Sequence, residues 1–271
     1  MSITNNEPFK EKITISKIKK AKNIKKLTMI TAYDALFAKL FENEVDMILV
    51  GDSLNMSFAG KQDTLSATLE QMIYHTQAVC NGAPKAFVIC DMPFGSYINE
   101  TKALENCIKV YAQTNAAAVK IEGGEDRAYI VKHLTSNSIA VVGHIGLMPQ
   151  YVRSEGGYIV RGKTQEDIEQ LIRDAKAIEK AGAFCIVLEG VKTQAAKQIT
   201  KAVNVPIIGI GAGNVTDGQV LVWSDMLGFF QEFKPKFVKR FLEGGDLVKE
   251  AIKSYSKEVQ DSTFPSKEEE Y

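Results

Sequence analysis

The sequence is short of the residues that build several kinds of site. Four cysteines, Cys80, Cys90, Cys107 and Cys185, lie scattered among apolar neighbours, and no Cys-x-x-Cys pair occurs. Isolated thiols in such company read as buried and reduced, not as zinc ligands or a disulfide framework. Histidine is scarcer still: His75, His133 and His144 are the whole supply. The first two fall in helical patterns, so neither a Ser-His-Asp or Cys-His pairing nor a zinc cluster suggests itself. Net charge is missing too. The 33 basic residues balance 33 acidic ones, which removes the global field that nucleic acid or a membrane surface would respond to. No apolar run nears the roughly 18 residues of a membrane span, and no signal-peptide pattern opens the chain. A cytoplasmic protein with no nucleic-acid or membrane partner is expected. A Gly-x-Gly-x-x-Gly turn is also lacking. Gly209-x-Gly211-x-Gly213 has the wrong spacing for a dinucleotide, and it leaves two readings open: a phosphate wrap, or room for a substrate.

What is present is a repeat of apolar runs and amphipathic stretches. Residues 1–26 are lysine-rich, with Ile15, Ile18 and 21–24 near helical spacing. A short helix closing one end of the domain, its lysines in solvent, is preferred there over a basic nucleic-acid arm. Strands are expected at 27–31, 45–50, 86–90, 118–122, 139–142, 183–188, 206–211 and, most weakly, 220–223. Helices are expected between them, among them one opened by a Thr68/Gln71 capping box and one from Thr164 to a stop at Gly182. Two more, at 237–242 and 246–259, finish the domain before a polar acidic tail, 262–271. Near-continuous apolar strands alternating with helices mean parallel strands covered on the outside. Eight such units predict an α/β fold, a (β/α)₈ TIM barrel over residues 27–261 with an N-terminal helical segment.

In such a barrel the residues that end the strands converge on one face. Here they are Asp52, Ser53, Asp91, Lys120, Glu122, His144 and Glu189. A single Asp after a strand is most often a turn former, and Lys120 with Glu122 could be an ordinary strand-end ion pair. The recurrence is harder to dismiss. Asp52, Asp91 and Glu122, brought together, repel one another unless a cation sits among them, and oxygen ligands select a hard ion such as Mg²⁺. Glu189 ends a strand across the barrel in apolar company, which suits a general base and equally a salt-bridged structural glutamate. The set supports proton abstraction beside a carbonyl, with Lys120 facing an anionic substrate.

Several ordered motifs carry a resemblance. Thr31-Ala32-Tyr33-Asp34, Val50-Gly51-Asp52-Ser53, Asp91-x-Pro93-Phe94 and Val119-Lys120-Ile121-Glu122-Gly123-Gly124 come first. Gly143-His144-x-Gly146-Leu147-x-Pro149-Gln150, Gly156-Gly157-Tyr158, Val187-Leu188-Glu189 and Gly209-Ile210-Gly211-Ala212-Gly213 follow. From Leu27 to Val259 the chain resembles the ketopantoate hydroxymethyltransferase family. The resemblance implies transfer of a one-carbon unit from 5,10-methylenetetrahydrofolate to 3-methyl-2-oxobutanoate, giving 2-dehydropantoate on the way to pantothenate and coenzyme A. By position it implies Mg²⁺ at Asp52, Asp91 and Glu122, the last two partly through water. Asp52, Ser53, Asp91 and Lys120 would surround the keto acid, His144 would lie beside it, and Glu189 would accept the proton. It also implies a homo-oligomer, commonly a decamer. Two positions depart from the family pattern: Asn55 stands where glycine is common, which reads as a turn at positive φ, and Ser224 where histidine is frequent. The alternatives are a Mg²⁺-dependent lyase or mutase of the phosphoenolpyruvate/pyruvate barrel type, and a non-catalytic barrel acting as an interaction protein.

Overall fold

Apolar runs flanked by turn residues become strands because a parallel sheet covered by helices buries both of its faces. In the computed structural model, which describes residues 12–271, the strands are β1 (Leu27–Thr31), β2 (Met47–Val50), β3 (Val88–Asp91), β4 (Ala118–Glu122), β5 (Val141–Gly146), β6 (Cys185–Glu189), β7 (Ile207–Ile210) and β8 (Gly218–Leu221). Each pairs in parallel with its neighbour in the chain, and β8 closes on β1, so the expected barrel forms. Around it run α2 (Ala35–Phe41), the short α3 (Leu54–Ser57), α4 (Leu69–Gly82), α5 (Glu100–Gln113), α6 (Ala128–Ser136), α7 (Gln165–Lys180) and α8 (Thr193–Ala202). The Thr68/Gln71 capping box is made in full, and Thr164 caps α7 through the Asp167 amide.

Strand periodicity sorts the interior. Met29, Met47, Leu49, Phe87, Ile89, Ala118, Val142, Cys185, Val187, Ile208, Ile210 and Val220 form one buried cluster. They are alternate residues of their strands, all facing inward. Each large apolar side chain so buried stabilises the fold by roughly 1.5–3 kcal/mol. Continuing the same alternation toward the strand ends reaches Asp91, Lys120, Glu122, His144 and Glu189. The parity that packs the core therefore also aims five polar side chains into the barrel mouth.

Of the lysine-rich start, residues 1–11 lie outside the described residues. Beyond them α1 (Ile15–Lys20) is capped by Thr14, and its fully buried Ile18 joins the interior cluster with Ala21. A helical segment thus precedes the first strand.

Three elements differ from expectation. β5 runs past 142 to Gly146, because Gly143 stays in the strand instead of turning it. A Cβ there would lie 2.4 Å from Ile178 Cγ2, so only glycine lets α7 pack this closely on the sheet. β8 starts earlier, at Gly218, since Gly218 and Gln219 pair with both β1 and β7, and Trp223 already opens a helix. No helix forms at 237–242. Pro235 and the Gly244-Gly245 pair leave too few residues for a cooperative helix, and the segment makes turn hydrogen bonds instead, such as Phe241 N to Met226 O.

The chain divides into two compact units, one running through Leu221 and one from Val222 onward. The second holds α9 (Trp223–Met226) and α10 (Gly244–Gln260), followed by residues 261–271 without regular structure.

Candidate active site

Register places the polar side chains in layers. Asp91 pairs with Lys120 across β3 and β4, and Glu122 with His144 across β4 and β5. Asp52, Asp91, Lys120, Glu122 and His144 are all buried, none more than 3% exposed. Lys120 Nζ is the centre of the group. Asp91 Oδ1 lies 2.9 Å from it and Glu122 Oε1 3.6 Å. It also sits 2.9 Å from His144 Nδ1. An ammonium can only donate, so Nδ1 accepts and the imidazole carries its proton on Nε2. That Nε2 faces Leu147 O at 3.1 Å and Glu189 Oε2 at 3.4 Å. Burial, helped by Lys120, lowers the His144 pKa to about 4, which keeps the ring neutral at physiological pH.

The acids are crowded. Burial and the charges of Asp91 and Glu122 hold the Asp52 carboxyl well above the usual range. Burial likewise raises Glu122, against the opposing pull of Lys120 and His144. Lys120, although buried, is pushed up by Asp91, Glu122 and Asp52, so it stays an ammonium. Glu189, 19% exposed in its side chain, is raised by burial to about 7. A carboxyl there exchanges protons near neutrality, as a general base needs.

Gln150 binds the cluster together. Its amide Nε2 donates to Asp52 Oδ2 at 2.8 Å and to Met92 O at 2.9 Å. Its backbone N–H donates to Glu122 Oε2 at 3.1 Å, and Tyr97 donates its hydroxyl proton to the Gln150 carbonyl. The Asp52 N–H donates to Asp91 Oδ2 at 3.2 Å. In the sequence Gln150 is only the last residue of the motif that begins at Gly143, and nothing there marks Tyr97. Neither spacing nor parity marks them, since both come from loops beyond the strands.

Among the expected site residues, Ser53 has its hydroxyl paired with that of Tyr33 at 2.9 Å. His75 and His133 lie on α4 and α6 as expected, His75 Nδ1 facing Tyr33 O at 2.6 Å. Asn55 sits within α3 and is not at positive φ. Its buried amide ties the following loop by bonds to Asp63 O and Ser66 Oγ, so the expected turn there is corrected to a helix.

The donor set fits a hard divalent cation. Asp91 Oδ1 and Glu122 Oε1 are buried and accept no well-aligned hydrogen bond, and three carboxylates face one ammonium. Among the described residues no three His, Cys, Asp or Glu side chains close on one point tightly enough to chelate an ion alone. Few protein ligands, completed by water and substrate oxygens, is the coordination Mg²⁺ favours.

Residues 12–267 match the family model described as Ketopantoate hydroxymethyltransferase. The chain is 77% identical to the 3-methyl-2-oxobutanoate hydroxymethyltransferase of Aliarcobacter butzleri (strain RM4018), covering 96% of this chain and 97% of that protein. It is 54% identical to the enzyme of the same name from Helicobacter pylori (strain ATCC 700392 / 26695), over 96% and 97% of the two chains. In fold it is similar to a phosphonopyruvate hydrolase solved in complex with oxalate and Mg²⁺, with a TM-score of 0.61 and 13% identity over 94% of this chain and 92% of that one. At that identity the likeness concerns the barrel alone.

Proposed function

The chain belongs to the ketopantoate hydroxymethyltransferase family and is an enzyme that transfers a hydroxymethyl group to 3-methyl-2-oxobutanoate; we propose that the one-carbon unit comes from 5,10-methylenetetrahydrofolate and that Asp52, Asp91 and Glu122 hold a Mg²⁺ ion. When bound, that ion supplies Lewis-acid stabilisation for the negative charge that builds on the keto oxygen. The observation that carries the reading is the buried group of three acids around Lys120, with a carboxyl of near-neutral pKa beside it.

In this reading Lys120 holds the carboxylate end of the keto acid, being the one ammonium in the group and buried where its charge is little screened. Ser53, kept in place by Tyr33, adds a hydroxyl donor. His144, neutral and locked by Lys120 and Leu147, walls the substrate without adding charge. Glu189 takes the proton from C3, and the carbanion equivalent so formed bonds to the one-carbon unit. Water supplies the hydroxyl oxygen, both bonds from that carbon to the carrier nitrogens break, and tetrahydrofolate leaves with the protons that its nitrogens then need. Gln150 keeps Asp52 and Glu122 from turning away from each other. A pyruvate-releasing lyase, the runner-up, is supported only by likeness of fold.

Self-association belongs to the same proposal. Leu247, Val248, Ile252, Tyr255 and Val259 of α10 are 45–59% exposed, and they fall on one stripe of that helix. An apolar stripe of this length fits burial against a second copy of the chain. Cytoplasmic residence is proposed as well; among the described residues no helix is long and apolar enough to cross a membrane.

The test is product formation. With the keto acid, methylenetetrahydrofolate and Mg²⁺, the chain is expected to yield 2-dehydropantoate, and chelation of the metal should stop it. Turnover that ignores folate, or cleavage of the keto acid, would overturn the reading.

A further inference from the structure

Beside the acids lies a cleft that proton transfer does not use. It encloses about 180 Å³ and is lined by Phe94, Tyr97, Ile98, Arg127, Gln150 and Tyr151. Its wall is apolar and open: Phe94 is 56% and Ile98 62% exposed, where an isolated protein gains nothing from large apolar side chains. Its polar feature is Arg127. The Nε of that guanidinium is buried and donates no hydrogen bond, the nearest carboxylate oxygen being Asp126 Oδ2 at 3.6 Å. Burial alone would lower the Arg127 pKa, but hydrogen bonds to Tyr151 and Tyr129 and the Asp126 charge raise it, so the group is a fixed cation. The Arg127 side chain is 31% exposed, so its charge reaches the cleft although Nε itself is enclosed.

The cleft is joined to the reacting centre at two points. Gln150 lines it while donating to Asp52. Gly123, which follows Glu122, has φ +131°, and a Cβ there would lie 2.1 Å from Arg127 Cγ. Only glycine lets the Arg127 stem lie directly on the end of β4. A ligand in this cleft is therefore one side chain away from the acids.

Resting on the functional reading above, we propose that the cleft binds the flat pterin ring of the one-carbon carrier. The ring would pack on Phe94 and Ile98, with a ring carbonyl turned toward the partly exposed Arg127 side chain. The cavity is smaller than the roughly 300 Å³ at which pockets begin to take whole drug-sized ligands. It has room for the ring and leaves the aminobenzoyl-glutamate tail in solvent. An aromatic face gives stacking area at little entropic cost, and the fixed positive charge of Arg127 sets the ring's orientation.

The experiment separates the two half-reactions of Arg127→Met and Phe94→Ala, the second changing an exposed side chain that folding does not depend on. Mg²⁺-dependent exchange of the keto acid C3 proton needs no folate and reads the acid cluster alone. Exchange in the wild-type chain shows that the functional reading stands, so the variants then report on the cleft. Each is expected to raise the methylenetetrahydrofolate KM by about tenfold or more while exchange stays within about twofold. 6-Methyltetrahydropterin should compete with the carrier in the wild type and less so in both variants. An unchanged KM, exchange falling in step with transfer, or competition by p-aminobenzoylglutamate in place of the pterin would overturn the proposal.

Discussion

Replacing Glu189 by Gln removes the carboxylate proposed to take the C3 proton while keeping the shape of the side chain. A positioned general base contributes about 10²–10⁴-fold to a proton transfer, or about 3–5 kcal/mol of barrier at 1.36 kcal/mol per decade. The assay is loss of the C3 proton signal of 3-methyl-2-oxobutanoate in deuterated buffer with Mg²⁺ and no folate. The wild-type rate should follow ionisation of a group with pKa about 7. About a tenth of the sites are ionised at pH 6 and about nine tenths at pH 8, so exchange should rise about ninefold across that range. His144 adds no second step there, because its pKa is lowered to about 4. Stability gives an independent reading with a definite sign. Folding raises this carboxyl from 4.5 to about 7, so the folded state holds the proton more tightly. Its stabilising contribution is complete below pH 4.5 and is lost as pH rises through about 7, a loss of at most about 3 kcal/mol. Glu189→Gln should thus match the wild type in stability near pH 4.5 and exceed it at pH 8. Exchange that survives in the variant, or a wild-type profile flat from pH 6 to 8, would refute the reasoning.

Two further outcomes are expected. Lys120→Met leaves Asp91 and Glu122 without their cation, which costs about 3–5 kcal/mol for an uncompensated buried charge. Denaturant melts in EDTA should show that loss, and added Mg²⁺ should recover part of it; an unchanged midpoint would mean the acids are already neutral. Ile252→Asp on α10 should shift the chain to smaller species in light scattering at unchanged helical circular dichroism, and an unaltered mass would place the self-contact on another surface.

The legible part of the fold follows from local rules. Apolar runs at 27–31 and 118–122 appear as strands with those same ends, and Thr68, Thr164 and Gly182 bound helices as their chemistry requires. Gly143 and the stretch at 237–242 misled for an instructive reason. A glycine in a strand and a glycine in a turn look alike until the partner that needs the space, here Ile178, is known. The stretch at 237–242 has the apolar spacing of a helix but lacks the length to nucleate one.

The site divides along the same line. By itself the sequence determined which side chains meet, because strand alternation is a local property and carries Asp91, Lys120, Glu122, His144 and Glu189 inward with the core residues below them. Only the tertiary structure decided what those groups do to one another. Protonation depends on burial and on neighbours tens of residues away: Glu189 rises to about 7 and His144 falls to about 4 through desolvation that no spacing records. Gln150 and Tyr97, reaching in from separate loops, and Arg127 with its unmet donor acquire a role only when the closed barrel brings those loops together. Local periodicity can aim a side chain, whereas the free energy of its charge is set by everything packed around it.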